Sequence, residues 1–261
     1  MFIDTHTHLF DSAFDEDRTA IVRKSIESGV ERMLLPNIDI DTIDAMHALA
    51  AEFPDNCFSM MGLHPGSIKE DWEERLSIIK KHLFSQKYIA VGEIGMDLYW
   101  DKTFVKEQAE AFKIQVEWAK ELRLPIAIHA RDAFDEIFEI LDEINDERLS
   151  GVFHCFTGDV DQANHVVGYG DFKLGIGGVL TYKKAGLDKV LEEVELKHLI
   201  LETDSPYLPP VPFRGKRNES SYVVHIAERL TDIYDVPLKV IEEETTKNAL
   251  ELFSLPLTVG S

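Results

Sequence analysis

The chain is poor in cysteine: Cys57 and Cys155 are the two in 261 residues, too few for a disulfide framework. It also lacks any apolar run near the ~20 residues that a membrane helix needs. The basic-then-apolar layout of a secretory leader is missing too, because Met1 runs straight into Phe2 and Ile3. These shortages give the expectation of a soluble, cytoplasmic protein. Positive charge is scarce as well, with 27 Lys and Arg against 48 Asp and Glu and a net charge of −21. A broad face for duplex DNA is thereby excluded, since phosphate neutralisation supplies most of that affinity. Any nucleic-acid partner must be held weakly and locally, by bound metal ions and a few arginines. No linker, repeat or low-complexity stretch divides the chain, so residues 1–261 read as one domain with a frayed tail at about 256–261.

What is present begins at once. Phe2 and Ile3 are strand-prone, and His6 and His8 follow with one residue between them. Side chains alternate along a strand, so the two imidazoles share a face and can grip one divalent ion. Later apolar runs repeat the design. Cys57–Pro65 carries His64, Tyr88–Glu93 ends in Glu93, Pro125–His129 in His129, Gly151–His154 in His154, and His198–Asp204 in Asp204. Further strands are expected at Arg32–Asn37 and Phe172–Gly177. Helical spacing fills the gaps, as with Leu76, Ile79 and Leu83, or Phe112, Val116, Ala119 and Leu122. Asp132 reads as the N-cap of a helix running to Ile144, Asp159 or Asp161 as that of the next, and two closing helices start near Tyr222 and Leu238.

Eight strands alternating with helices predict an α/β fold: a single (β/α)8 TIM-type barrel with its site at the C-terminal ends of the strands. An open doubly wound sheet is the alternative. The barrel is preferred because chemistry-bearing residues end many strands rather than cluster at one switch point. It would gather His6, His8, His64, Glu93, His129, His154 and Asp204 into one ring. So many imidazoles and carboxylates require cations among them.

The motifs Asp4-Thr5-His6-Thr7-His8, Gly62-Leu63-His64-Pro65, Gly92-Glu93-Ile94-Gly95-Met96-Asp97, His129-Ala130-Arg131, His154-Cys155-Phe156-Thr157-Gly158, Leu201-Glu202-Thr203-Asp204-Ser205-Pro206 and Arg214-Gly215-Lys216-Arg217-Asn218-Glu219 appear in this order. Together they resemble the TatD-type metal-dependent hydrolases of the amidohydrolase-like superfamily over nearly the whole chain. Ser220 stands where relatives usually have Pro, and Met96 and Leu98 where Leu and an aromatic are expected.

The resemblance implies two divalent metals, one on His6, His8 and Asp204, the other on His129 and His154, with Glu93 bridging. It also implies His64 as a contact to the scissile phosphate. Two ions ~3.5–4 Å apart clamp a phosphate and activate a water for in-line attack, and Asp204 is placed to accept that water's proton. Relatives are commonly described as Mg2+-dependent, whereas four imidazoles favour Zn2+, Ni2+ or Mn2+. A site that accepts Mg2+, Mn2+ or Zn2+ is expected.

Glu202 reads as a residue that pins a ligand or a nearby arginine. Arg131, Arg214 and Arg217 are candidate phosphate contacts, and Tyr99, Trp100 and Phe156 candidate stacking surfaces. Cys155 is expected to point away from His154, into the core. The resulting function is a deoxyribonuclease, favoured as a 3′-5′ exonuclease on single strands or ends. A hydrolase of a small-molecule amide, lactone or cyclic bond is the alternative. A metal- or nucleic-acid-binding protein without catalysis is disfavoured, since a purely structural site would not need such open ligands.

Overall fold

In a computed structural model that describes residues 1–256, strands and helices alternate from the first residues on. The strands are β1 (Phe2–Asp4), β2 (Val30–Pro36), β3 (Cys57–Met60), β4 (Val91–Asp97), β5 (Ile126–Arg131), β6 (Gly151–Phe153), β7 (Phe172–Ile176) and β8 (Leu199–Leu201). Between and after them come α1 (Arg18–Glu27), α2 (Ile43–Glu52), α3 (Trp72–Ser85), α4 (Val105–Leu122), α5 (Phe134–Ile144), α6 (Val160–Gly168), α7 (Leu187–Leu191), α8 (Val223–Tyr234) and α9 (Leu238–Leu252). The expected frayed tail lies, from residue 257 on, outside the described residues. No helix among them is long and apolar enough to cross a membrane.

The pairing is parallel throughout, but it forms two sheets, β1-β2-β3 and β4-β5-β6-β7-β8, rather than the one closed sheet expected. At the first seam, Ile89 N donates to Ser59 O, Met61 N to Ala90 O and Gly92 N to Met61 O. At the second, Thr5 N donates to Leu201 O at 3.0 Å. The next donor, Thr203 N, is taken by the Asp4 carboxylate at 2.8 Å, which interrupts the ladder there.

Two apolar layers hold the strands. The larger lies between strands and helices, and includes Phe112, Val116, Ile137, Phe153 and Phe172. A separate cluster takes Ile3, Leu34, Met60, Ala90, Ala127, Val152 and Ile200 from both sheets and is closed by Ala249, Phe253 and Leu255 at the chain's end. Residues on one face of every contributing strand thus meet each other while the opposite faces meet helices, the alternation that strand geometry dictates.

Several boundaries differ from expectation. Asp132 is no N-cap: it has a φ of 52°, and α5 starts two residues later at Phe134, with Ala133 at its cap. Asp159 does cap α6, in a reciprocal box with Gln162. The short α7 has no strong periodic signal. His6, His64, His154 and Asp204 all fall just past their strands, whereas Glu93 sits within β4, which runs on to Asp97.

Candidate metal centre

Glu93 is the hub. Its Oε2 lies 3.2 Å from His6 Nε2 and 3.5 Å from His8 Nε2. Its Oε1 lies 2.8 Å from His129 Nδ1, 3.0 Å from His154 Nε2 and 3.4 Å from His64 Nε2. The two oxygens of one carboxylate therefore sort five imidazoles into two groups. Asp204 joins the first, with Oδ1 3.4 Å from His8 Nε2 and 3.9 Å from His6 Nε2. Three sets offer ligand atoms within 4.8 Å of one another: His6, His8 and Glu93; His64, Glu93 and His129; His6, His154 and Glu202. Imidazole nitrogens with bridging carboxylates suit borderline divalent ions.

Local structure explains the convergence. β4 reaches β5 closely because Gly95, at a φ of 140°, sits where a Cβ would overlap the His129 carbonyl. On α4, Gln108 and Gln115 are seven residues apart and share a buried face. Gln115 Oε1 accepts from Leu63 N at 2.8 Å, fixing the segment that carries His64. Gln108 Oε1 accepts from Asp97 N at 2.9 Å. His64 Nδ1 accepts from Gly66 N at 2.9 Å, which leaves the ring hydrogen on Nε2, facing the cluster. Behind Asp204, the Asn218 amide donates to Thr203 O and Tyr207 O at 2.8 and 2.6 Å, clamping the loop after β8.

The electrostatics follow from crowding. Burial would raise the Glu93 carboxyl, but the imidazoles of His154, His64 and His6 and the hydrogen bond from His129 hold it well below the usual range. Burial opposes protonation of His154, yet Glu93 and Glu202 lift it well above an ordinary histidine. Asp204 behaves like Glu93: burial raises it, while the hydrogen bond from His8 and the other imidazoles bring it below normal. In the metal-free chain protons balance the carboxylates, and divalent cations are what such a donor set binds in their place.

Glu202 is fully buried, and its Oε1 accepts from Cys155 N and lies 3.4 Å from His154 Nδ1. Two residues that sequence reasoning gave no role also matter. Asp97 Oδ2 accepts from His129 Nε2 at 3.0 Å. Asp4, with no exposed surface, binds Thr203 N and Oγ1 between Glu202 and Asp204. Burial pushes the Asp4 carboxyl up to about 7 against those hydrogen bonds. The signal for Asp97 was its distance of four residues from Glu93, which puts both on one face of a strand.

The cluster opens into a cavity of about 840 Å³ lined by His8, His64, Lys69, Trp100, Arg131, Asp204 and Tyr207, among others. Arg131 is at its rim. Arg214 and Arg217 are not part of its lining. Arg217 spends its guanidinium on Asp17, at 2.9 and 2.6 Å, and on Ala13 O, packed over Phe14. Arg214 stacks 4.2 Å over the Tyr182 ring. Phe156 is buried against Phe134 rather than offered to a ligand. Cys155 departs from the alternation that would turn it into the core: its φ of 46° brings it to the cavity wall.

Comparison with known proteins agrees with this arrangement. The family described as TatD related DNase matches residues 3–254. The uncharacterized metal-dependent hydrolase YabD of Bacillus subtilis is 38% identical, over 98% of this chain and 100% of its own. A protein of Yersinia pseudotuberculosis named 3′-5′ ssDNA/RNA exonuclease TatD is 30% identical, over 97% of this chain and 99% of its own. Among solved structures, the TatD homologue YjjV of Escherichia coli superposes with a TM-score of 0.88 at 29% identity, covering 98% of both chains.

Proposed function

The chain belongs to the TatD-related DNase family of metal-dependent hydrolases, and from that premise we propose that it is a phosphodiesterase acting on single-stranded DNA or on strand ends. We read its two sheets as arcs of one (β/α)8 barrel and one domain, supported by the seam hydrogen bonds and by the apolar cluster that both sheets enclose. We place it in the cytoplasm, in keeping with two unpaired cysteines.

The observation that carries the reading is the partition at Glu93. His6 and His8 face Oε2, with Asp204 beside both imidazoles, and His129 and His154 face Oε1. In this reading His6, His8 and Asp204 would hold one divalent cation, His129 and His154 a second, and Glu93 would serve both. Bound there, the cations supply charge neutralisation at the phosphate and a water of lowered pKa. The imidazole-rich set favours Zn2+ or Mn2+ over Mg2+.

Asp204 is ionised at neutral pH and takes the proton of the attacking water. His64, neutral and with its hydrogen on Nε2, donates to a non-bridging phosphate oxygen. Arg131 meets the neighbouring phosphate at the rim. The acidic surface elsewhere repels a duplex, leaving a single strand to enter the cavity. The name of the Yersinia relative supports 3′-5′ polarity and extends the substrate class to RNA.

Turnover of 5′-labelled single-stranded DNA tests this, using chelated enzyme resupplied with Mg2+, Mn2+ or Zn2+ singly. The reading predicts a ladder shortening from the 3′ end that returns with metal and is absent in Asp204→Asn. Intact substrate under every metal would overturn it and direct attention to small-molecule amides and lactones.

A further inference from the structure

The cavity rim carries an aromatic pair that the hydrolytic cluster does not use. Trp100 is 75% exposed and Tyr99 52%, far more than core packing explains, and they sit just after β4 on the cavity side of the molecule. Their rings meet edge to face at 4.8 Å, with an interplanar angle of 89°. The Arg131 guanidinium lies 4.1 Å from the Tyr99 centroid and 5.2 Å from that of Trp100. Arg131 has no carboxylate within ion-pair distance among the described residues, so its charge is free for a ligand. Trp100 lines the main cavity, Tyr99 a second depression of about 590 Å³, and Arg131 both. The three side chains thus form a ridge leading out of the site.

Resting on the nuclease reading, we propose that this ridge is a nucleobase platform: the base next to the scissile phosphate stacks on the open face of Trp100, and its phosphate pairs with Arg131. The chemistry fits. Arg131 lies closer to Tyr99 than to Trp100, which stays 75% exposed with a face for the ligand, a cation beside a π-face is the usual surface for a single strand, and stacking needs no particular base. Charge complementarity selects the occupant. Lys69 and Arg131 flank the opening, with Asp101 drawn to Lys69 at 3.8 Å. With Lys69 paired to Asp101, Arg131 is the cation that an anionic strand meets here, on a chain of net −21. Past the ridge the second depression is lined by Asp132, Asp135 and Glu136, which disfavours a further phosphate and limits the platform to about one nucleotide.

The test uses metal-loaded enzyme and a set of labelled single-stranded oligodeoxynucleotides, each with one abasic residue at a different position. An abasic residue at one position should lower kcat/KM at least about fivefold, mainly through KM, given the usual strength of base stacking. Trp100→Ala should erase the sensitivity at that position alone, while Trp100→Phe keeps most of it. A Trp100→Ala positional profile matching wild type would overturn the platform. If the enzyme cleaves no strand, the nuclease reading falls, and the platform is then read from binding. Trp118 is buried and Trp72 partly so, so quenching of Trp100 fluorescence by the base-bearing strand, lost with an abasic strand, supports it. Equal quenching by both strands, or none by either, overturns it.

Discussion

Asp97 Oδ2 and His129 Nε2 are 3.0 Å apart, so His129 turns its other nitrogen, Nδ1, to Glu93. The contact fixes both tautomer and ring orientation, because Asp97 accepts and Nε2 must donate. Asp97→Asn removes the charge and permits the amide to present a donor. Divalent-metal affinity should fall about 10- to 100-fold, in the range of such supporting contacts. Competition with a chromophoric chelator measures it, and affinity equal to wild type would show that His129 is oriented by something else.

Gly175 faces Glu202, and a Cβ there would overlap the Glu202 carboxylate. Glu202 cannot retreat, being fully buried against His154 and Cys155 N. Gly175→Ala should cost about 1–3 kcal/mol by overpacking, and turnover should fall as His154 loses its partner. Urea unfolding beside an activity assay checks both; full stability with full activity contradicts the contact.

The two candidate arginines outside the cavity should separate from Arg131. Arg217→Ala removes a partly exposed pair with Asp17, worth up to about 1 kcal/mol, and its packing over Phe14. Thermal stability should drop slightly with KM for DNA nearly constant. Arg131→Ala should raise KM with stability nearly constant. The reverse pattern in paired melting and kinetic measurements would refute the assignment.

Metal binding should strengthen with pH. His154, lifted above its usual value despite burial by Glu93 and Glu202, must lose a proton before a cation replaces it. A raised folded-state value stabilises the metal-free chain below the unfolded histidine value of about 6.5 and ceases to do so as pH climbs through the folded value. Chelated protein should therefore lose the His154 contribution to stability as pH rises above about 6.5. The melting-temperature gain from added Mn2+ or Zn2+ should grow over the same rise. A gain that shrinks as pH rises has the wrong sign for proton displacement.

Much of this was legible in the sequence for identifiable reasons. His6, His8, Glu93, His129, His154 and Asp204 stood at or near the ends of short apolar runs, the pattern that a strand buried on both faces leaves in a sequence. The helices carried regular apolar faces. What stayed hidden depends on single backbone angles and on partners distant in the chain. Alternation predicts Cys155 in the core, but one left-handed residue brings it to the cavity wall. Arg217 looked available because its partner, Asp17, is 200 residues away. Asp4 offered no cue that its carboxylate would take the Thr203 amide and interrupt sheet pairing between β8 and β1.

The central claim is that Glu93 joins two divalent ions. Metal content per chain, by inductively coupled plasma mass spectrometry after loading with Mn2+ or Zn2+ and gel filtration, tests it most directly. The account predicts two ions per wild-type chain and loss of at least one in Glu93→Gln. A single ion in wild type, or two retained in Glu93→Gln, would contradict it.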